Sequence, residues 1–157
     1  MENTVNNTEN NTQTPLEATL AAHRTKWTED IKEINDKLKS LVKTDELLNE
    51  IYSKRQSCVD YYYSMNGVIL KHSKAYKKLY NDMFNNIKVN GYNGIRFSSD
   101  QSIARQVEVD LQDNKEVIDL LTNQNNFIKE TIATLDNIIY GINQKVKIHE
   151  LLNGLKF

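Results

Sequence analysis

Side chains that could carry out chemistry are scattered along this chain of 157 residues. The three histidines are His23, His72 and His149. None of them has a second histidine, a cysteine or a carboxylate at the spacing of a familiar metal motif. Acidic pairs such as Glu29 and Glu33 have the spacing of a solvated helix face, and the single cysteine, Cys58, lies beside an apolar stripe and is expected to be packed and inert. The sequence therefore predicts a protein that is not an enzyme and binds neither a metal nor a cofactor.

Charge is distributed unevenly, although the formal net charge is only −1. Residues 68–96 contain six basic residues and one acidic residue, whereas residues 106–136 contain seven acidic and two basic residues. Lysines that neutralise phosphates and aromatic rings that stack on bases are the two components of single-strand binding. The predicted contacts with single-stranded DNA are Lys71, Lys74, Lys78, Lys88, Tyr92 and Arg96.

A second interpretation of the same charges stays open. The lysines between Lys71 and Lys78 could pair with the acidic stretch of residues 106–136, within one chain or between chains. Tyr76 and Tyr80 fall on an apolar stripe, so they are expected in the core rather than on a base-stacking surface.

Long helices must position these residues. One proline in the whole chain leaves little to interrupt a helix, and apolar residues recur at alternating intervals of three and four. The predicted fold is all-α, with long amphipathic helices in an extended helical hairpin or coiled-coil-like bundle. Its single helical domain covers residues 14–157, with arms at about 15–89 and 99–157 and a turn at 90–98.

Local signals mark the ends of these arms. Thr14-Pro15-Leu16-Glu17 has a hydroxyl cap, a proline at the first helical position and a carboxylate three residues after the cap. A break is expected near Lys43. The asparagines and glycines of residues 90–94 predict the turn, and Ser98 with Gln101 predicts a capping box that opens the last helix.

The two ends of the chain and its composition indicate the cellular compartment in which the protein is expected. Residues 1–13 are almost all Asn, Thr and Glu, and they are expected to form a disordered tail because they cannot bury enough apolar surface. No apolar run approaches the roughly 18 residues of a membrane span, and no signal peptide is evident. The single cysteine suits a reducing compartment. We therefore expect a cytoplasmic protein without membrane contact.

The order of these features resembles the UvsY-type recombination mediator proteins of bacteriophages. The resemblance covers about residues 47–157 and depends on three short segments. They are Leu70-Lys71-His72-Ser73, Lys77-Lys78-Leu79, and the terminal stretch Ile142-x-x-Lys145-Val146-Lys147-Ile148-x-x-Leu151. In the turn, Lys88, Tyr92 and Gly94 fit the pattern, whereas Gly91 replaces a second tyrosine and Asn86 a basic residue.

This resemblance implies a non-enzymatic, all-helical homo-oligomer in the cytoplasm of a host cell. Such a protein binds single-stranded DNA, engages a recombinase and a single-strand-binding protein, and helps to load the recombinase. The oligomerisation residues that it implies are Ile139, Ile142, Val146 and Leu151. The surplus of apolar stripes independently favours a homo-oligomer. The alternative function is that of a coiled-coil structural or adaptor protein that binds only other proteins.

Overall fold

The computed structural model describes residues 14–38 and 44–154 of the chain. These residues form four α-helices and no strand: α1 (Pro15–Lys37), α2 (Thr44–Asn90), α3 (Asp100–Asp110) and α4 (Gln112–Gly154). The all-α prediction is confirmed. The predicted tail at residues 1–13 lies outside the described residues, as does Lys43, although α1 and α2 are separate helices on either side of the predicted break.

The first helix begins where the local signal predicts. The Glu17 backbone amide donates to Thr14 Oγ1 at 3.3 Å, and the Thr14 amide donates to Glu17 Oε2 at 2.7 Å. These reciprocal bonds form a capping box with Pro15 at the first helical position. These bonds confirm the capping prediction. The sequence could predict this cap because it depends only on neighbouring residues.

The two longest helices run antiparallel. Arg55 of α2 pairs with Asp136 of α4, and eleven residues further along α2, Asn66 accepts from Asn125 Nδ2 at 2.7 Å. Because Asn125 lies eleven residues before Asp136, the two contacts define one antiparallel register. The α2–α4 hairpin is the long axis on which the other two helices pack.

Helix α1 turns back and packs on this hairpin instead of extending α2 into one continuous arm. Lys54 binds Asp30 at 2.8 Å and Lys37 binds Glu50 at 2.9 Å, so α1 runs antiparallel to α2. A bundle of three helices results. Its main core cluster consists of Ile34, Leu47, Ile51, Cys58, Ile128, Leu135, Ile139 and Ile142.

The second predicted arm is interrupted at Leu111, where φ is −103° and ψ is 13°. No proline or glycine marks this break. Leu111 is buried with Ile87, Ile103 and Val107 in a second core cluster where α3 packs on the end of α2. The N-cap of α3 is Ser99, whose side chain accepts from the Ser102 amide, so the prediction of Ser98 as the cap is wrong by one residue.

The burial pattern along α2 differs in phase from the expected stripe. In the first half of α2, Leu47, Ile51 and Cys58 are buried, whereas Tyr52 is exposed, although steps of three and four residues connect Tyr52 to the stripe that contains Tyr76 and Tyr80. Tyr76 and Tyr80 are half-buried against the second core cluster, which confirms their expected place in the core.

The turn between α2 and α3 requires glycine at its first position. Gly91 has φ +78°, and a Cβ at this residue would lie 2.7 Å from the Ile95 carbonyl oxygen. Gly94 has φ +82° but nothing within 4 Å of such a Cβ. Tyr92 and Ile95 exchange backbone hydrogen bonds at 2.9 Å across the turn.

We expect Gly91→Ala to lower the free energy of unfolding by about 2 kcal/mol, because a left-handed conformation and a backbone clash act together. Gly94→Ala is the control and carries the conformational cost alone, about 1 kcal/mol. Urea denaturation of both variants measures the difference. Equal losses would show that the Ile95 carbonyl moves aside.

Candidate nucleic-acid interface

Three of the predicted contact lysines lie on one side of α2. Lys71, Lys74 and Lys78 are spaced by three and four residues, so a helix of 3.6 residues per turn presents them together. All three are exposed. They form what we call the basic face, which extends over about 10 Å of helix.

The basic face has no acidic residue within its own stretch of helix. The 21 residues between Asp60 and Asp82 include four lysines and no Asp or Glu. Within the described residues, none of the ion pairs involves Lys71, Lys74, Lys77 or Lys78. Pairing of these lysines with the acidic stretch of the same chain is therefore not seen in this structure.

Three other basic residues of α1 and α2 have carboxylate partners. Lys54 binds Asp30, Arg55 binds Asp136, and Lys37 binds both Glu33 and Glu50. Hydrogen bonds to Glu50 and Glu33 raise the pKa of Lys37. On the basic face, three neighbouring ammonium groups thus lie together on one side of a helix without carboxylate partners among the described residues, whereas unpaired lysines of α4 such as Lys129 and Lys145 lie further apart.

The remaining predicted contacts lie near the turn and are engaged in different ways. Lys88 binds Asp100 at 2.8 Å and lies over the Phe84 ring at 5.8 Å from its centroid. Arg96 is exposed. Lys88 follows Lys78 by ten residues and therefore lies about 15 Å further along α2. Arg96 lies in the turn beyond the end of this helix. The structure therefore divides the six predicted residues into two groups.

Tyr92 belongs to the turn's own packing. Its ring is half-buried, lies 6.5 Å from the Phe97 ring, and packs against the second core cluster. Its hydroxyl donates to Asp110 at 3.1 Å, and this hydrogen bond raises the pKa of Tyr92. The geometry assigns Tyr92 to holding α3 against the turn and leaves little of its ring for a base.

The four predicted oligomerisation residues occupy unlike environments. Ile139 and Ile142 are buried in the chain's main core cluster, and Val146 packs against it, whereas Leu151 is 66% exposed. A charge introduced at Ile142 would therefore disrupt the fold of the chain itself. Exposed apolar side chains at the end of α4 are Ile148, Leu151 and Leu152.

The bundle contains a buried polar layer that the sequence analysis did not predict. Arg24 Nε donates to Gln124 Oε1 at 2.7 Å, and His23 Nδ1 lies 3.2 Å from the Tyr61 hydroxyl. Gln124 is fully buried. Amide and guanidinium groups across helices can fix one register of packing, so this layer is a structural device that orients α1 on the hairpin.

Cys58 lies in the core beside a cleft of about 160 Å³ between α1, α2 and α4. Burial raises the pKa of its thiol, so less thiolate is present at a given pH. Both the buried position and the protonated state oppose reaction, in agreement with the expectation of a packed cysteine.

Cys58 should react with iodoacetamide at least about tenfold more slowly in the folded chain than in urea, because only exposed thiolate is nucleophilic. The rate at mildly alkaline pH is followed by mass spectrometry. Equal rates in the two conditions would place the thiol on an open surface.

In the described part of the chain, no group of three or more His, Cys, Asp or Glu side chains could hold a metal ion. Over the same residues, no helix is long and apolar enough to cross a membrane. No family model matches the sequence, and comparison with curated proteins and with solved structures found no match.

Proposed function

We propose that this protein binds single-stranded DNA through the basic face of α2 and acts as a recombination mediator. In that role it would help to load a recombinase onto the strand in phage recombination and repair. Binding alone would carry the function, and no covalent step is required of the chain.

The observation that supports this proposal is the grouping of three exposed lysines without carboxylate partners, within the part of the chain that the structure describes, on one face of α2. Lys71, Lys74 and Lys78 are exposed on one helix face, whereas Lys37, Lys54 and Lys88 are each held by a carboxylate. Free ammonium groups on one face can each neutralise a phosphate and release its counterion.

The protein partners follow from the resemblance to the UvsY-type mediators. They are a recombinase, a single-strand-binding protein and further copies of this chain. Several copies on one strand would add their weak contacts, since linked sites raise the effective concentration of each other.

Fluorescence anisotropy of a labelled oligothymidylate tests DNA binding. We expect saturable binding at low salt, with a log–log salt slope near −3 if about four phosphates are neutralised per chain. Absence of binding at low salt would refute the proposal.

A second candidate function is that of an adaptor that binds only proteins. The exposed apolar residues Ile148, Leu151 and Leu152 at the end of α4 favour a protein contact there. Sedimentation equilibrium without DNA measures self-association. A stable oligomer that binds no oligothymidylate would favour the adaptor, and a monomer at all concentrations would exclude the proposed homo-oligomer.

A further inference from the structure

We propose that Tyr63 is a base-stacking residue that extends the basic face of α2 toward the three-helix bundle. This inference deepens the proposed function and rests on it. It specifies the ligand as a strand whose bases are unpaired and free to stack on a protein ring.

Tyr63 is the most exposed tyrosine of α2, with 69% of its surface in solvent. Its neighbours along the chain have other roles. Tyr61 packs in the core, where its ring meets Trp27 edge-on at 4.9 Å, and Tyr62 is half-buried against the main core cluster. Tyr63 therefore contributes little to the core and leaves an aromatic ring open to a ligand.

Helix geometry places Tyr63 in line with the basic face. Lys74 follows Tyr63 by eleven residues, which is close to three turns, so both side chains leave the helix on nearly the same side about 16 Å apart. Between them, Gly67 has nothing within 4 Å of the position that a Cβ would take. The surface at Gly67 is thus open, and the exposed side chain of Leu70 lies between the ring and Lys74.

The Tyr63 ring is also supported. Its centroid lies 5.6 Å from that of Tyr62, with an interplanar angle of 77°. An edge-to-face contact with a half-buried neighbour restricts the ring's motion while most of it remains in solvent. A supported ring loses less conformational freedom when a base stacks on it.

The chemistry favours a single strand over a duplex. A ring beside a row of lysines can stack on a base while the lysines contact the backbone, which is the arrangement of general single-strand binders. In a duplex the faces of the bases are already stacked on one another, so none is available to the Tyr63 ring and this surface would contact mainly phosphates. Stacking at Tyr63 would thereby select unpaired nucleic acid.

The test compares two probes on the full chain. The first is a labelled oligothymidylate, and the second is a strand of the same length that has the sugar–phosphate backbone but no bases. Tyr63→Ala should weaken binding of the oligothymidylate about fivefold or more, the lower end of base–aromatic stacking, and leave binding of the abasic strand unchanged. Tyr63→Phe should bind both probes as the native chain does, whereas Tyr63→Leu should behave like Tyr63→Ala.

Tyr140→Ala is the matched control, because Tyr140 is 66% exposed on α4 and lies one turn from Asp136. It should leave both affinities unchanged. Unchanged affinity of Tyr63→Ala for oligothymidylate, or equal weakening for both probes, would overturn the stacking role. If Lys71→Ala and Lys74→Ala also leave binding intact, the proposed function fails as well; if they weaken binding to both probes, only the role of Tyr63 fails.

Discussion

Replacing Lys71, Lys74 and Lys78 together with alanine is expected to weaken oligothymidylate binding about 100-fold at about 0.1 M salt. The estimate follows from counterion release, since each neutralised phosphate contributes about −0.7 to the log–log salt slope for a single strand. Removing three contacts should make the slope less steep by about 2. Anisotropy titrations between about 50 and 200 mM salt measure both quantities.

The charge change itself needs a control with the same loss of positive charge. Lys129, Lys145 and Lys147 are exposed on α4, outside the basic face. Their triple alanine variant should retain a slope close to that of the native chain. If both triple variants lose affinity equally, binding responds to total charge and the basic face has no special role.

Ile128→Ala is expected to lower the free energy of unfolding by about 2–5 kcal/mol, the usual cost of truncating a buried isoleucine. Ile128 has no exposed surface and belongs to the cluster to which α1, α2 and α4 all contribute. The loss combines the removal of buried apolar surface with the cavity left where three helices meet. Urea denaturation followed by circular dichroism measures it.

Ile148→Ala is the matched variant on the same helix, because Ile148 is 55% exposed. The same change in side chain should alter the free energy of unfolding by less than about 0.5 kcal/mol. A comparable loss at both positions would mean that Ile148 is buried in solution, as it would be in an oligomer formed through the end of α4.

Features set by adjacent residues were predictable from the sequence. The cap at Thr14 needs only a hydroxyl, a proline and a carboxylate at fixed offsets, and the existence of a turn at residues 90–94 follows from glycines and asparagines that tolerate positive φ. At the start of α3 two serines were available, and the backbone geometry selects Ser99 rather than Ser98.

Features set by tertiary packing were not predictable in the same way. The break at Leu111 has no proline or glycine and follows from the packing of α3 on the end of α2. The position of α1 beside the hairpin depends on contacts such as Asp30 with Lys54, which no local pattern specifies. In the first half of α2 two apolar stripes run side by side, and packing against α1 and α4 buries the one that contains Leu47 and Ile51.

The candidate site was predictable in part. Charge counting located the basic segment, and helical spacing grouped Lys71, Lys74 and Lys78. The pairing of Lys88 with Asp100 and of Tyr92 with Asp110 required the structure, because these partners come from α3. Tyr63 lies outside the basic segment of residues 68–96, and its helical phase relative to Lys74 is the sequence signal that could have identified it.

Photo-crosslinking of an oligothymidylate containing 4-thiothymidine to the full chain is the most direct test of the claim that α2 binds single-stranded DNA. Mass spectrometry of the digested product then locates the attached residues. We predict that the oligothymidylate crosslinks to residues of α2 in the segment 63–78. Crosslinks confined to α4 would contradict the claim that α2 binds the strand. The absence of any crosslink at low salt, where the strand is bound, would contradict it as well.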